Sequence, residues 1–134
     1  MNEESLYLES VELLKELISI QSFSFHEENT ATLLENWLNK NSIPFKRHVN
    51  NIYCYNKYYD EEKPNILLNS HHDTVEPNDS YTNDPYEPIV DQGKLYGLGS
   101  NDAGASLVSL LSTFKFFYNC KNLNYNLIFL ASAE

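Results

Sequence analysis

The chain has 134 residues, the size of one domain, and 42% of them are hydrophobic, enough for a real core and too many for a disordered segment. A formal net charge of −10 argues against a nucleic-acid partner and against an anionic membrane surface, because both need clustered Lys and Arg. No apolar run is long enough to span a bilayer, Met1-Asn2-Glu3-Glu4 is acidic rather than basic-then-apolar, and Cys54 and Cys120 are isolated thiols, so a cytoplasmic setting is predicted.

In chain order, residues 5–20 read as a helix, with Leu6, Val11, Leu14 and Ile18 at helical spacing. Gln21-Ser22-Phe23-Ser24-Phe25 breaks the pattern. A second helix begins at Ser24 or Asn29 and runs to about Asn41, with Leu33, Leu34, Trp37 and Leu38 on its apolar face. Ile52-Tyr53-Cys54-Tyr55 has the aromatic and branched content of a strand. After a polar turn over residues 60–64, Asn65-Ile66-Leu67-Leu68-Asn69 is the short apolar run expected of a buried parallel strand. Residues 76–92 are loop-like and contain Pro77, Pro85 and Pro88; Lys94-Leu95-Tyr96 reads as a short strand. Residues 102–118 predict a helix, with Leu107, Leu110, Leu111 and Phe114 on one face, and residues 124–130 predict another apolar strand. This alternation predicts an α/β fold with helices on both faces of a mixed, mostly parallel sheet.

Ligands in such folds bind beyond the carboxyl ends of the strands. Three segments are predicted there: Ser70-His71-His72-Asp73-Thr74-Val75, Gly97-Leu98-Gly99-Ser100-Asn101-Asp102, and the residues ending at Glu134. His71 and Asp73 are two apart, so in extended chain their side chains point the same way and His72 points to the other. That suits a metal-bound imidazole backed by a carboxylate that orients the ring. A polar strand end with two surface histidines is the plainer reading. Asp102 reads either as a helix cap after a glycine turn or as a carboxylate shared by two metal ions, which two-metal hydrolases hold roughly 3.5–4 Å apart. His26 and His48 read as surface residues, and Glu27-Glu28 as charges favouring the positive end of the second helix. Neither a G-x-S-x-G nucleophile elbow nor a G-x-x-x-x-G-K-[ST] phosphate loop occurs.

Taken together, the segments resemble the acetylornithine deacetylase / succinyl-diaminopimelate desuccinylase family of dinuclear zinc hydrolases. The resemblance covers nearly the whole chain. Ser22-Phe23-Ser24-Phe25-His26-Glu27 looks like the family's S-x-S-x-x-E turn, and Ser70 to Val75 like its H-x-D-x-V segment. Asp84-Pro85-Tyr86-Glu87-Pro88, with Asp91-Gln92-Gly93-Lys94-Leu95-Tyr96-Gly97 after it, looks like its D-P-F-x-P…D-G-K-L-Y-G stretch. Leu98 stands where the family usually has Arg, and Ala103-Gly104-Ala105 follows Asp102, a form closest to acetylornithine-deacetylase-like members.

The resemblance implies an α/β/α sandwich of the zinc-exopeptidase type. Residues 1–134 would be the N-terminal part of its catalytic domain, without the C-terminal half or the lid and dimerisation domain. It implies two divalent metal ions, zinc with cobalt as the alternative. His71 and Asp102 would be metal ligands, Asp102 bridging both ions, and Asp73 would serve catalysis by orienting His71. Glu134 fits the acidic position that precedes the family's general base and a further ligand. The implied reaction is hydrolysis of a small N-acyl amino acid, first N-acetylornithine to ornithine and acetate, by a full-length homodimer. Desuccinylation of a diaminopimelate precursor and dipeptide or carboxypeptidase cleavage are the alternatives, and an inactive remnant or interaction module is the alternative of another class.

Overall fold

The computed structural model describes residues 2–134. The elements in order are α1 (Glu3–Ile18), α2 (Glu28–Lys40), β1 (Lys46–His48), β2 (Asn51–Tyr55), β3 (Asn65–His71), β4 (Ile89–Asp91), β5 (Lys94–Tyr96), α3 (Ala105–Phe117) and β6 (Asn126–Ser132). The side chain of Asn2 caps α1 by accepting the Ser5 amide at 2.8 Å, and Glu3, Glu4 and Lys15 complement its dipole. The apolar stripe of α1 buries Leu6, Leu13, Leu14, Leu17 and Ile18, and that of α2 buries Ala31, Leu34, Trp37 and Leu38. Lys115 of α3 pairs with Glu9 of α1 and lies over the Trp37 ring of α2, 5.1 Å from its centroid, so one cation ties the three helices together.

Four strands form one sheet in the order β1-β2-β6-β3. The sheet is mixed, as expected, but the parallel share is one pairing: β3 runs parallel to β6, while β1–β2 and β2–β6 are antiparallel. β1 carries no apolar alternation and is not foreseen from pattern. It forms because a tight hairpin, with Val49 at φ +55°, folds Lys46–His48 back onto β2. Inside the proline-rich stretch, β4 and β5 make a small separate hairpin whose two turn residues, Gln92 and Gly93, both have positive φ (48° and 77°), the pattern of a type I′ turn.

Alternation along the strands divides the sheet into two unlike faces. Ile52, Cys54, Leu127, Phe129 and Ala131 point to one side and join all three helices in a single core. Tyr53, Tyr55, Leu67, Ile128 and Leu130 point to the other, where no helix among the described residues lies; Leu67 is 56% exposed. Among the described residues, the helices cover one face of the sheet. The apolar stripes of α1, α2 and α3 all converge on the same side, and the described chain has no fourth amphipathic helix to cover the other.

Two substitutions separate the faces. Phe129→Ala, at a position with no solvent exposure packed on Phe114, should cost about 3–5 kcal/mol of stability in chemical denaturation. Leu67→Glu on the bare face should change it by no more than about 0.5 kcal/mol.

Candidate metal centre

Because β3 and β6 are parallel, both carboxyl ends reach the same sheet edge, with His71 paired to Ser132. His71 is the last residue of β3. Its Nδ1 lies 3.0 Å from Asp73 Oδ1 and 3.2 Å from the Asp73 carbonyl. Both are acceptors, so Nδ1 carries the hydrogen and donates, and the ring presents Nε2 outward. Nε2 is 3.0 Å from Oδ1 of Asp102. The second oxygen of Asp73 accepts the Ser24 hydroxyl at 2.9 Å. The line Ser24–Asp73–His71–Asp102 thus runs from a half-buried hydroxyl to a carboxylate whose side chain is 88% exposed. His71, Asp73 and Asp102 line a cavity of about 370 Å3 with Thr74, Tyr81 and Gly99, and Ser24 lies behind it. A wider groove of about 810 Å3, lined by Ile20, Phe23, His26 and Leu33, touches none of His71, Asp73 or Asp102.

The glycines bring Asp102 to this edge. Gly97 and Gly99 have φ of 152° and 74°; a Cβ would lie 2.3 Å from Ile18 Cγ2 at the first and 2.6 Å from Thr74 Cγ2 at the second. Only glycine lets the backbone pass that close to α1 and to the residue after Asp73. Leu98 donates its amide to the Pro85 carbonyl at 2.7 Å, and Gly104 to the Gly99 carbonyl at 2.8 Å. Asp102 is extended (φ −120°, ψ 96°), and a cis peptide joins it to Ala103. The helix starts only at Ala105 and has no side-chain cap, so the reading of Asp102 as a cap is overturned: its carboxylate faces His71 instead.

His72, a surface residue in the plainer reading, is buried. Its Nε2 donates to the Asn50 carbonyl at 3.0 Å, and its Nδ1 lies 2.9 Å from the Thr30 hydroxyl, which also donates to the Glu27 carbonyl at 3.0 Å. The adjacent histidines thus meet different partners: His71 has a carboxylate oxygen at each nitrogen, His72 a carbonyl and a hydroxyl. Glu27 also departs from expectation. It is fully buried and accepts the Phe25 amide at 2.7 Å and the Asn50 side-chain amide at 3.0 Å, rather than serving the α2 dipole at the surface. His26 and His48 are exposed, as read. Glu134 is exposed, two residues past β6, and makes no hydrogen bond among the described residues. Ser24, Glu27, Thr30, Asn50 and His72 are the contributors that residue-by-residue reading missed; only the S-x-S-x-x-E spacing marked the first two.

Burial alone lowers the His71 pKa, but the hydrogen bond to Asp102 and the charge and carbonyl of Asp73 raise it more, so it ends above the usual 6.5. Burial dominates at His72 and holds its pKa below 6.5, against the opposing pull of the Asn50 carbonyl. As donors for a metal, His71 Nε2 and the Asp102 carboxylate fit: one imidazole nitrogen with a fixed tautomer and one carboxylate converge in an open cavity. They are two donors, and no group of three or more His, Cys, Asp or Glu converges among the described residues. Zinc sites use at least three protein ligands, so these two donors would not complete one by themselves.

The sequence profile described as Peptidase family M20/M25/M40 matches residues 67–134, the half that holds β3, His71, Asp73, Asp102 and β6. The succinyl-diaminopimelate desuccinylase of Nitratiruptor sp. is 26% identical over 110 residues, covering 81% of this chain and 30% of that protein. An uncharacterized metallohydrolase of Methanocaldococcus jannaschii is 33% identical over 93 residues, covering 57% of this chain and 23% of its own. Among solved structures, the M20 family metallo-carboxypeptidase Sso-CP2 from Sulfolobus solfataricus superposes with a TM-score of 0.74 at 21% identity, over 100% of this chain and 31% of that one. The dipeptidase Dug1p of Saccharomyces cerevisiae gives 0.74 at 18% identity, over 97% and 33%. The chain spans about a third of the length of the curated relatives it matches.

The two histidines should titrate in opposite senses in metal-free protein. His71, raised, contributes stability that is complete below pH 6.5 and is lost as pH rises through its folded value. His72, lowered, contributes stability that is present above pH 6.5 and is lost as pH falls through its folded value. An NMR titration of the imidazole C–H protons should place the His72 midpoint below 6.5 and that of His71 above it; coincident midpoints would contradict the geometry.

Proposed function

The chain belongs to peptidase family M20/M25/M40, and from that premise we propose that the polypeptide carrying it is a metal-dependent amide hydrolase of small N-acyl amino acids. His71 and Asp102 would hold the metal, Asp102 as a carboxylate able to be shared by two ions, and Asp73 holds the His71 ring. Residues 1–134 form the N-terminal part of the catalytic domain, and the C-terminal half and the lid and dimerisation domain complete it. The single observation carrying this reading is the Asp73–His71–Asp102 alignment, in which two 3.0 Å contacts fix the imidazole and meet a bridging-capable carboxylate.

When bound, divalent metal, zinc or cobalt, lowers the pKa of water toward about 7 and polarises the amide carbonyl. The protein supplies the orientation. Asp73 fixes the His71 tautomer, so that Nε2 offers its lone pair when the site is loaded, and raises the basicity of the ring. Asp102, exposed and before the start of α3, lines the cavity and meets His71 Nε2 with Oδ1. The remaining ligands and the group that moves the proton to the leaving amine come from the rest of the polypeptide. Glu134 would occupy the acidic position that precedes them. The setting is cytoplasmic and the assembled enzyme is a homodimer.

N-acetylornithine is the first substrate, supported by the Ser100-Asn101-Asp102-Ala103-Gly104-Ala105 form of the bridging segment. Succinyl-diaminopimelate is a second reading, favoured by the desuccinylase from Nitratiruptor. A panel of N-acetyl and N-succinyl amino acids and dipeptides, incubated with the full-length polypeptide and zinc or cobalt, decides between them by amine release. His71→Ala and Asp102→Ala should abolish turnover, and Asp73→Asn should lower metal affinity or rate by about 10–100-fold. The isolated 134-residue chain should hydrolyse none of the panel. Turnover by that chain, lost in His71→Ala, would refute the division of the site between two parts of the polypeptide.

A further inference from the structure

Asp73 has two oxygens, and His71 occupies one. The other is held by a residue 49 positions earlier, Ser24, in the connection between α1 and α2. A carboxylate on one hydrogen bond turns easily, because the terminal torsion of Asp is broad and roughly two-fold. A second donor on the other oxygen removes that freedom. Asp73 is so held: its side chain is 14% exposed, and Oδ1 and Oδ2 each accept one bond, at 3.0 and 2.9 Å.

The segment that presents Ser24 is itself fixed at several points. The Thr74 amide donates to the Ser22 carbonyl at 2.7 Å, and Phe23 forms a parallel bridge with Thr74, so the backbone just before Ser24 is tied to the chain just past Asp73. The His26 amide closes a four-residue turn on the Phe23 carbonyl at 2.8 Å. Ser24 and Phe25 are its central residues. Phe25 takes φ +70°, the position where type II turns favour glycine, although its ring is 70% exposed and gains little from packing. A left-handed aromatic residue costs about 1–2 kcal/mol and persists only when its surroundings over-determine it. The surroundings here are the buried Glu27 carboxylate, which takes the Phe25 amide on one oxygen and the Asn50 side chain on the other. Asn50 also receives His72 on its backbone carbonyl, so the same anchor holds the residue between His71 and Asp73.

We propose that Ser24 is a positioning residue of the metal centre: its hydroxyl locks the Asp73 carboxylate, which in turn sets the His71 ring, and the buried Glu27 holds the turn that presents it. This rests on the proposed role of His71 as a ligand. It assigns to the S-x-S-x-x-E spacing a physical task, supplying the hydroxyl at its second serine and the anchor at its glutamate.

The test is a cobalt(II) titration of the metal-free full-length polypeptide, followed by the visible absorption bands of the bound ion, on wild type, Ser24→Ala, Ser24→Thr and His71→Ala. Ser24→Ala should weaken cobalt binding by about 10-fold and alter the band shape, as loss of an outer partner of a ligand does. Ser24→Thr keeps a hydroxyl and should restore both. In turnover of the best substrate of the panel, Ser24→Ala should lower kcat and leave KM near wild type, because Ser24 does not line the cavity that holds His71, Asp73 and Asp102. A turn that mattered only for folding would lower the melting temperature and leave the spectrum of the folded protein unchanged. Wild-type affinity and spectrum in Ser24→Ala, with binding lost in His71→Ala, would overturn the role of Ser24 alone. Unchanged cobalt binding in His71→Ala would overturn the ligand assignment and this inference with it.

Discussion

The parallel ladder between β3 and β6 is the constraint on which the rest depends. Seven residue pairs, from Asn65–Asn126 to His71–Ser132, put two carboxyl ends at one edge in fixed register. Parallel neighbours need a crossover, and α3 with the loop before it is that crossover. Asp102 lies within the crossover, just before α3, and His71 at the end of the strand it leaves, so the connection that closes the sheet also carries the second donor to the first. The core serves this arrangement: Leu107, Leu111 and Phe114 seat α3 on Leu127 and Phe129, and the ladder cannot slip by one residue without turning those two side chains to the bare face.

Much of this could be read in the residues. The helices have strong apolar stripes, and α1, α2 and α3 lie within a few residues of their predicted bounds. The strand-like runs at 52–55, 65–69 and 124–130 were legible for the same reason, and β3 and β6 extend two residues further because ladder hydrogen bonds continue past the apolar letters. β1 was not legible. Lys46-Arg47-His48 has no apolar side chain, and its pairing comes from the hairpin beside it. Nor was the emptiness of one sheet face, because the period of a strand shows that both faces are apolar and says nothing about which one the helices choose.

The site divides the same way. The H-x-D spacing of His71 and Asp73 follows from strand alternation, and the structure places the two side chains together. Family resemblance, rather than spacing, suggested Asp102, since an Asp before a helix is most simply a cap. The part that could not be read is the support behind these residues. Glu27 looks like a surface helix charge, and only the fold reveals that Asn50 and the Phe25 amide meet it in the interior. Contacts between residues tens of positions apart leave no periodic trace. His72 makes the point most plainly: two neighbouring imidazoles differ in partners, burial and direction of pKa shift because the strand sends one to the open edge and the other into a buried pocket.

The bare sheet face has a consequence for association. Tyr55 and Leu67 are exposed on the side of the sheet that no described helix covers, while the opposite side is closed by a packed core. An apolar surface on an otherwise folded unit favours contact with another apolar surface over contact with water. Residues 2–134 by themselves therefore carry a face on which copies can stick, so their solubility is set by this side of the sheet and their stability by the other.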